Sequence, residues 1–310
     1  MNDLKNLPLV IVLGPTAVGK SALAIELAQR FDMEIVNADS MQVYRGMDIG
    51  SAKPSRAQRT LVTHHLINIK NPDEEFSAAQ FRKEALSCIE SLHRKGKQPL
   101  VVGGTGLYIR ALTRGLFPAP AADHSLREKL RELEKNKGRW YLHQELTRID
   151  PAAASRIHPN DTFRIIRALE VFNLTGKSIS EQHQMHRFKE SFFDVLKLGL
   201  MRDRKELYRR IEKRVDLMVH SGLVEEVKTL LAKGYPSTIK PFQSLGYKQI
   251  LGFLQGETDM DEAVRLIKRN TKRYAKRQIT WFKKDSEIQW ITLPQQSSEI
   301  GQTIKKFLNI

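Results

Sequence analysis

Gly14-Pro15-Thr16-Ala17-Val18-Gly19-Lys20-Ser21 spells out a complete G-x-x-x-x-G-K-S phosphate loop, and its flanks suit it. Leu9–Leu13 before it is a short apolar run of the kind that forms a buried strand. Ser21–Ala28 after it is built of strong helix formers. Glycines let successive backbone N–H groups converge on phosphate oxygens, and the following helix N-terminus adds a favourable dipole. In this pattern Lys20 reaches the terminal phosphates and the Ser21 hydroxyl ligates Mg²⁺, so the ligand is a diphosphate or triphosphate.

Outward from the loop, strand-like runs recur between helical patterns: Leu9–Leu13, Glu34–Asn37, Leu66–Ile69, Pro99–Val102, Val195–Leu200 and Ile288–Leu293. That alternation predicts a parallel α/β sheet. It breaks after Leu116, and only helical periodicity follows from Pro118 to about Ser191. Phe117–Asp123 reads as a stiff linker that ends by capping a helix at Asp123 or Ser125. Asn160-Asp161 caps a second helix, Thr162–Leu174, stopped by Gly176. The expected fold is α/β: a P-loop NTPase-like parallel-sheet core interrupted by an all-helical insertion. Its parts are residues 1–117, an insertion at 118–191, and 192–310.

The 310 residues carry 51 Lys and Arg against 35 Asp and Glu, a net charge of +16. A small-molecule kinase has no need of that surplus, whereas a polyanion such as nucleic acid would explain it. A helix expected over Glu262–Lys284 sorts Val264, Ile267, Thr271, Tyr274 and Trp281 onto one face. Arg265, Arg269, Lys272, Lys276 and Lys283 fall on the other, as a surface for a phosphate backbone. Arg127, Arg131, Arg164 and Arg167 add charge to the insertion. Cys88 is the single cysteine, which excludes an internal disulfide and a Cys-based zinc site, and it reads as a small core residue. No stretch has the length of a membrane span, and the early first strand leaves no room for a leader. A cytoplasmic protein that is not an obligate dimer is expected.

The apolar strand at Gln98–Val102 ends in Gly103-Gly104-Thr105-Gly106, where a nucleotide hydrolase would usually place a carboxylate. The acid comes instead from the second strand, at Asp39, followed by Ser40 and Gln42. Neighbouring strands share one crevice at their carboxyl ends, so Asp39, Thr105 and the phosphate loop should converge there. A carboxylate beside a bound diphosphate suits a group that orients an incoming nucleophile or accepts its proton. His64-His65 lacks a third metal ligand at a recognisable spacing and reads as a strand edge or turn. His158 reads as a turn residue beside Pro159, and Trp140 and Trp281 as helix-packing residues.

Further stretches carry a resemblance. Asp39-Ser40-Met41-Gln42-Val43-Tyr44, Gly46–Pro54, Gly103–Tyr108, Ile157–Asp161, Gly246-Tyr247-Lys248-Gln249 and Lys276–Phe282 occur in order with the phosphate loop over nearly the whole chain. Together they resemble the motif series of the bacterial tRNA dimethylallyltransferases, the IPP transferase family. Ser51 stands where that family more often has Thr, which keeps the hydroxyl. The resemblance implies transfer of a dimethylallyl group from its diphosphate to N6 of the adenosine 3′ of the tRNA anticodon, with pyrophosphate leaving. It implies that Gly14, Pro15, Thr16, Ala17, Val18, Gly19, Lys20 and Ser21 hold the diphosphate, with Mg²⁺ at Ser21. Asp39 would take the N6 proton, Thr105 would position the reacting groups, and Arg214 would reach the diphosphate. The anticodon stem-loop would meet Asp39, Ser40, Met41, Gln42, Thr105, Arg127, Phe163, Arg164, Ile165, Ile166 and Arg167, with the basic helix at Lys276 and Arg277 tracking the backbone. The target base would be drawn from its stack into the crevice.

Three other readings compete on the same residues. A prenyltransferase acting on free adenine nucleotides would not need the insertion or the charge. A small-molecule kinase would use the loop for ATP. A non-enzymatic RNA-binding protein would carry the loop without using it.

Overall fold

The apolar run before the phosphate loop lies inside a six-stranded parallel sheet of order β3-β2-β4-β1-β5-β6. The structure is a computed structural model that describes residues 6–186, 193–295 and 297–310. In chain order its first half runs β1 (Leu7–Leu13), α1 (Lys20–Arg30), β2 (Met33–Asn37), α2 (Arg56–Leu61), β3 (His64–His65), α3 (Ala78–Arg94), β4 (Gln98–Gly103) and α4 (Gly106–Arg114). The helices α5 (His124–Lys137), α6 (Tyr141–Ile149), α7 (Pro151–Ala154), α8 (Thr162–Thr175) and α9 (Ile179–His186) follow. The sheet resumes with β5 (Phe193–Met201), then α10 (Arg204–His220), α11 (Leu223–Ala232), α12 (Tyr247–Leu254), α13 (Met260–Phe282), β6 (Ile288–Thr292) and α14 (Ser297–Leu308).

Side chains alternate across a strand, and β1 shows how that builds two layers of core. Leu9, Ile11 and Leu13 pack with Phe81, Ile89, Val227 and Ile250 on one side of the sheet. Val10 and Val12 pack with Ala24, Leu27, Leu207 and Ile211 on the other. Register aligns the carboxyl ends, with Leu13 beside Gly103 and Gly199, and Asn37 beside Val102. The segments leaving β1, β2 and β4 therefore emerge side by side. Gly103 permits the closest of these approaches, because a Cβ there would lie 2.2 Å from the Ala38 carbonyl oxygen.

Two expectations are corrected. Leu66–Ile69 is not a strand, because β3 ends at His65 and Leu66 and Asn68 take left-handed φ values of 59° and 57°. The chain turns out of the sheet and bonds instead to the Gln42 and Val43 carbonyls through Asn68, Ile69 and Lys70 N–H. Helix α13 begins earlier than expected, capped by Asp259. Its buried face is Ala263, Ile267, Ala275, Gln278 and Phe282, so Trp281 stands 38% exposed. Cys88 and the His64-His65 pair stand as expected. Cys88 packs half-buried against the core, where burial pushes its thiol up to about 11. His65 meets Glu34 at 2.6 Å on the edge strand, and His64 Nδ1 lies 2.8 Å from the Val62 carbonyl. No described helix is long and apolar enough to cross a membrane.

The chain divides into two compact units, residues 1–113 with 191–310, and residues 114–190. The second is all-helical among the described residues and has its own core of Leu130, Leu142, Leu146, Ile165 and Leu169. At its centre Glu170 is fully buried. The carboxylate accepts from Arg127 Nε at 2.7 Å and Nη2 at 2.8 Å, from the Asp123 N–H at 2.8 Å, and from Arg167. Burial alone would raise its pKa, but these hydrogen bonds outweigh it and hold the carboxyl below the usual range. Removing one member of such a buried cluster leaves charge uncompensated, so Glu170→Ala should destabilise the insertion by about 3–5 kcal/mol in urea unfolding. With a depressed folded-state pKa, the contribution is present above the ordinary glutamate range. It is lost as pH falls through the lowered value.

Candidate active site

The phosphate loop is shaped by backbone that only small residues tolerate. Gly14 and Gly19 take φ values of 148° and 116°, and a Cβ on Gly14 would stand 2.8 Å from the Leu200 carbonyl oxygen. Lys20 opens α1 and folds back, donating to the Gly14 and Pro15 carbonyls at 2.9 and 2.8 Å. Burial, and then the nearby Arg214 guanidinium, lower its pKa to about 8 against the opposing pull of Asp39. Arg214, from α10, is itself lowered by burial while Asp39 raises it. Lys20, Arg214 and Asp39 thus form one electrostatic group.

All three line a cavity of about 610 Å³ that also meets Thr16, Ser21, Ser40, Met41, Gln42 and Gly104. Asp39 Oδ1 caps its own turn, accepting from Met41 N–H at 2.8 Å and Gln42 N–H at 3.4 Å. Thr105 Oγ1 accepts the Ser40 N–H at 3.1 Å, which ties the end of β4 to the acid's loop. Gln42 is held with its amide nitrogen toward the Ser51 and Ala52 carbonyls, both at 3.3 Å. Burial, then the Asp39 charge, raise the Tyr274 phenol on the cavity wall, so it stays a neutral hydroxyl. The arrangement can cradle a diphosphate between Lys20, Arg214 and loop amides, with a carboxylate facing whatever attacks it.

Mg²⁺ fits this site in one particular way. Among the described residues no cluster of three or more His, Cys, Asp or Glu could cage a metal. Mg²⁺ commonly keeps several waters and binds through one or two protein oxygens plus substrate phosphates. The Ser21 hydroxyl, opening on the same cavity as Asp39, suits that mode.

One supporting residue carries no motif signal of its own. Glu226 on α11 accepts three successive N–H groups, from Asp48 at 2.8 Å, Ile49 at 2.7 Å and Gly50 at 3.1 Å, and the Tyr247 hydroxyl at 2.6 Å. It clamps the loop that supplies Gly50, Ser51 and Ala52 to the cavity wall. Nothing in an ordinary amphipathic helix marks that glutamate. Buried Lys53, within the Gly46–Pro54 stretch, also ties this region together, bonding the Tyr44 carbonyl, Asp48 and Asn68 at 2.6, 2.5 and 2.6 Å. Lys248, Arg273 and Arg277 add positive charge to the lining.

In the insertion, Phe163 is 67% exposed and Arg164 is also exposed, at the N-terminus of α8. Ile165 and Ile166 are buried in the insertion's core, which corrects the expectation that their side chains meet RNA. Arg127 and Arg167 are anchored on Glu170 and so first serve the insertion's own architecture. Trp140 is not a packing residue. It sits half-exposed at φ 72° before α6, its Nε1 donating to Asn160 at 3.0 Å. Trp281 lies against Gly106, with the Arg110 guanidinium 5.3 Å from its ring centre. His158 is a turn residue as expected, accepting the Asn160 N–H at 3.1 Å. The face of α13 is less uniformly basic than its sequence suggests. Arg265 pairs with Glu262, Lys268 with Asp216 and Lys272 with Glu212. Lys276 and Arg277 remain exposed.

Residues 42–285 match the family model described as IPP transferase. The chain is 53% identical over 307 residues to the tRNA dimethylallyltransferase of Geobacter metallireducens, covering 99% of each. Among solved structures it resembles the full-length tRNA isopentenylpyrophosphate transferase of Bacillus halodurans, with 40% identity, 97% of each chain covered and a TM-score of 0.72. It also resembles a eukaryotic dimethylallyltransferase described as acting on tRNA, with 30% identity, a TM-score of 0.82, and 98% of this chain and 79% of that one covered.

Proposed function

The chain belongs to the IPP transferase family, and from that premise we propose that it transfers a dimethylallyl group from dimethylallyl diphosphate to N6 of the adenosine 3′ of the anticodon in tRNA. The observation that carries the reading is the placing of one carboxylate, Asp39, on the same cavity as the phosphate-loop lysine and Arg214. The N6 nitrogen attacks the carbon bearing the diphosphate, the C–O bond breaks, and its electron pair leaves on pyrophosphate. Asp39 holds the N6 amine and takes the proton it loses. Lys20, Arg214 and the amides from Gly14 to Ser21 stabilise charge as it grows on the leaving oxygens. Bound Mg²⁺, held by Ser21 and the diphosphate, would supply further charge neutralisation. Thr105 and Ser40 keep the acid's loop in place.

Asp39, Ser40, Met41 and Gln42 contact the extruded base. Phe163 and Arg164 on the insertion, with Lys276 and Arg277 on α13, meet the rest of the anticodon stem-loop. A tRNA substrate supports a cytoplasmic location for the enzyme. Binding that relies on these cations should weaken steeply as salt rises, and a flat salt profile would count against them.

The direct test is mass spectrometry of nucleosides from unmodified bacterial tRNA after incubation with the protein, Mg²⁺ and dimethylallyl diphosphate. An adenosine heavier by one five-carbon unit, formed with stoichiometric pyrophosphate, is expected. Prenylated AMP with unmodified tRNA would point to the free-nucleotide reaction. ADP formed from ATP, with no prenylated product, would point to a kinase.

A further inference from the structure

Near its C-terminal end α13 carries a buried amide that the chemistry above leaves without a role. Gln278 is 7% exposed, although its neighbours Lys276 and Arg277 face outward. A glutamine side chain offers an acceptor at one oxygen and donors at one nitrogen. Here the two ends go to two different loops. Oε1 accepts the Thr16 N–H of the phosphate loop at 2.9 Å, and Nε2 donates to the Gly104 carbonyl at 2.8 Å. Gly104 makes room for this, since a Cβ there would stand 2.4 Å from Nε2. The next residue is Thr105, whose hydroxyl accepts the Ser40 N–H beside Asp39. Hydrogen bonds therefore connect the loop expected to hold the diphosphate, through Gln278 and Gly104-Thr105, to the loop that carries the acid.

Resting on the prenyl-transfer reading, we propose that Gln278 is a positioning residue that fixes the spacing between the leaving diphosphate and Asp39. Although it borders the same cavity, both ends of its amide are taken up by the two loops. It acts by holding Thr16 and Gly104 at a set separation, so that the attacked carbon, the incoming nitrogen and the proton acceptor stay aligned. Alignment of this kind is steeply coupled to rate, with a misplacement of about 1 Å costing roughly 100-fold. Because Gln278 acts through the spacing of two loops, its loss is felt in turnover rather than in tRNA capture.

Two substitutions separate this role from simple core filling. Gln278→Met keeps length and volume but removes both hydrogen bonds. Gln278→Glu keeps the acceptor for Thr16 but can donate to the Gly104 carbonyl only when protonated. For Gln278→Met we expect kcat to fall roughly 30- to 100-fold, with KM for tRNA and for dimethylallyl diphosphate within about threefold of wild type. Gln278→Glu should regain activity relative to wild type as the pH is lowered from 8 to 6. Amide hydrogen exchange of the peptide spanning residues 14–20 should be faster in Gln278→Met without any substrate present, a reading independent of the reaction. Wild-type turnover in the same assay tests the functional reading on its own, so the two failures are distinct. Unchanged loop exchange, a kcat within threefold of wild type, or a defect confined to KM for tRNA would each overturn the role. If Gln278→Met does not fold, the pH dependence of Gln278→Glu decides, and a constant ratio to wild type overturns it.

Discussion

Asp39→Asn is expected to lower the turnover of prenyl transfer by roughly 10²- to 10⁴-fold, the range contributed by a positioned general base. Affinity for tRNA should hardly change. Asparagine keeps an oxygen where Oδ1 accepts the Met41 and Gln42 N–H groups, so the turn that shapes the cavity wall survives. What disappears is the negative charge and the proton affinity. Asp39→Ala also loses the turn and should abolish transfer. A second consequence follows from the shared electrostatics, because the Asp39 charge raises the pKa of both Lys20 and Arg214. With asparagine in its place, Lys20 gives up its proton at lower pH, and residual activity should decline earlier on the alkaline side. Steady-state kinetics against pH, with tRNA binding measured in parallel, tests both parts. Turnover within tenfold of wild type would remove Asp39 as the base.

Local patterns carry the part of this site that lies close in sequence. The phosphate loop needs glycines at Gly14 and Gly19 because of φ values no other residue adopts easily, and that requirement is written in eight consecutive letters. The strands flanking it are apolar because both faces of β1 are buried, which is visible as a run. Asp39 and Thr105 could be placed together because parallel strands share their carboxyl ends. The supports are different in kind. Glu226 reaches residues 48–50 from far along the chain, and Gln278 bonds Thr16 across 262 residues. Neither contact leaves a local pattern, since only the packed fold brings the partners together. The buried face of α13 differs from the periodic one for a related reason. Periodicity weights large apolar residues, whereas the residues that end up buried near the sheet's end are Ala275 and Gln278, and Trp281 lies over Gly106 while staying 38% exposed. Leu66–Ile69 has the composition of a strand, but left-handed backbone at Leu66 and Asn68 takes it away from the ladder.

The second large effect concerns Lys20. Removing a preorganised charge aimed at a leaving oxyanion typically costs 10²- to 10³-fold in turnover, and Lys20→Ala is expected to lose about that much. Its pH signature is more specific than the loss. Burial and the Arg214 guanidinium hold the free lysine at about 8, so a sizeable share is already neutral in mildly alkaline solution. A bound diphosphate favours the ammonium form and raises that value. Between the two values the complex binds more protons than the free protein, so affinity must fall as pH rises. Pyrophosphate, which carries the leaving group's charge, serves as the probe in calorimetry from about pH 7 to 9.5. Wild-type affinity should be level near pH 7 and then weaken by up to about tenfold per unit above the free pKa. Lys20→Ala should bind more weakly throughout with no bend at that pH. Lys20→Arg keeps its charge across the range, so it too should lose the bend, whatever its absolute affinity. A bend that persists in both variants would belong to another group, and the alkaline limit of the enzyme would then have to be sought away from the phosphate loop.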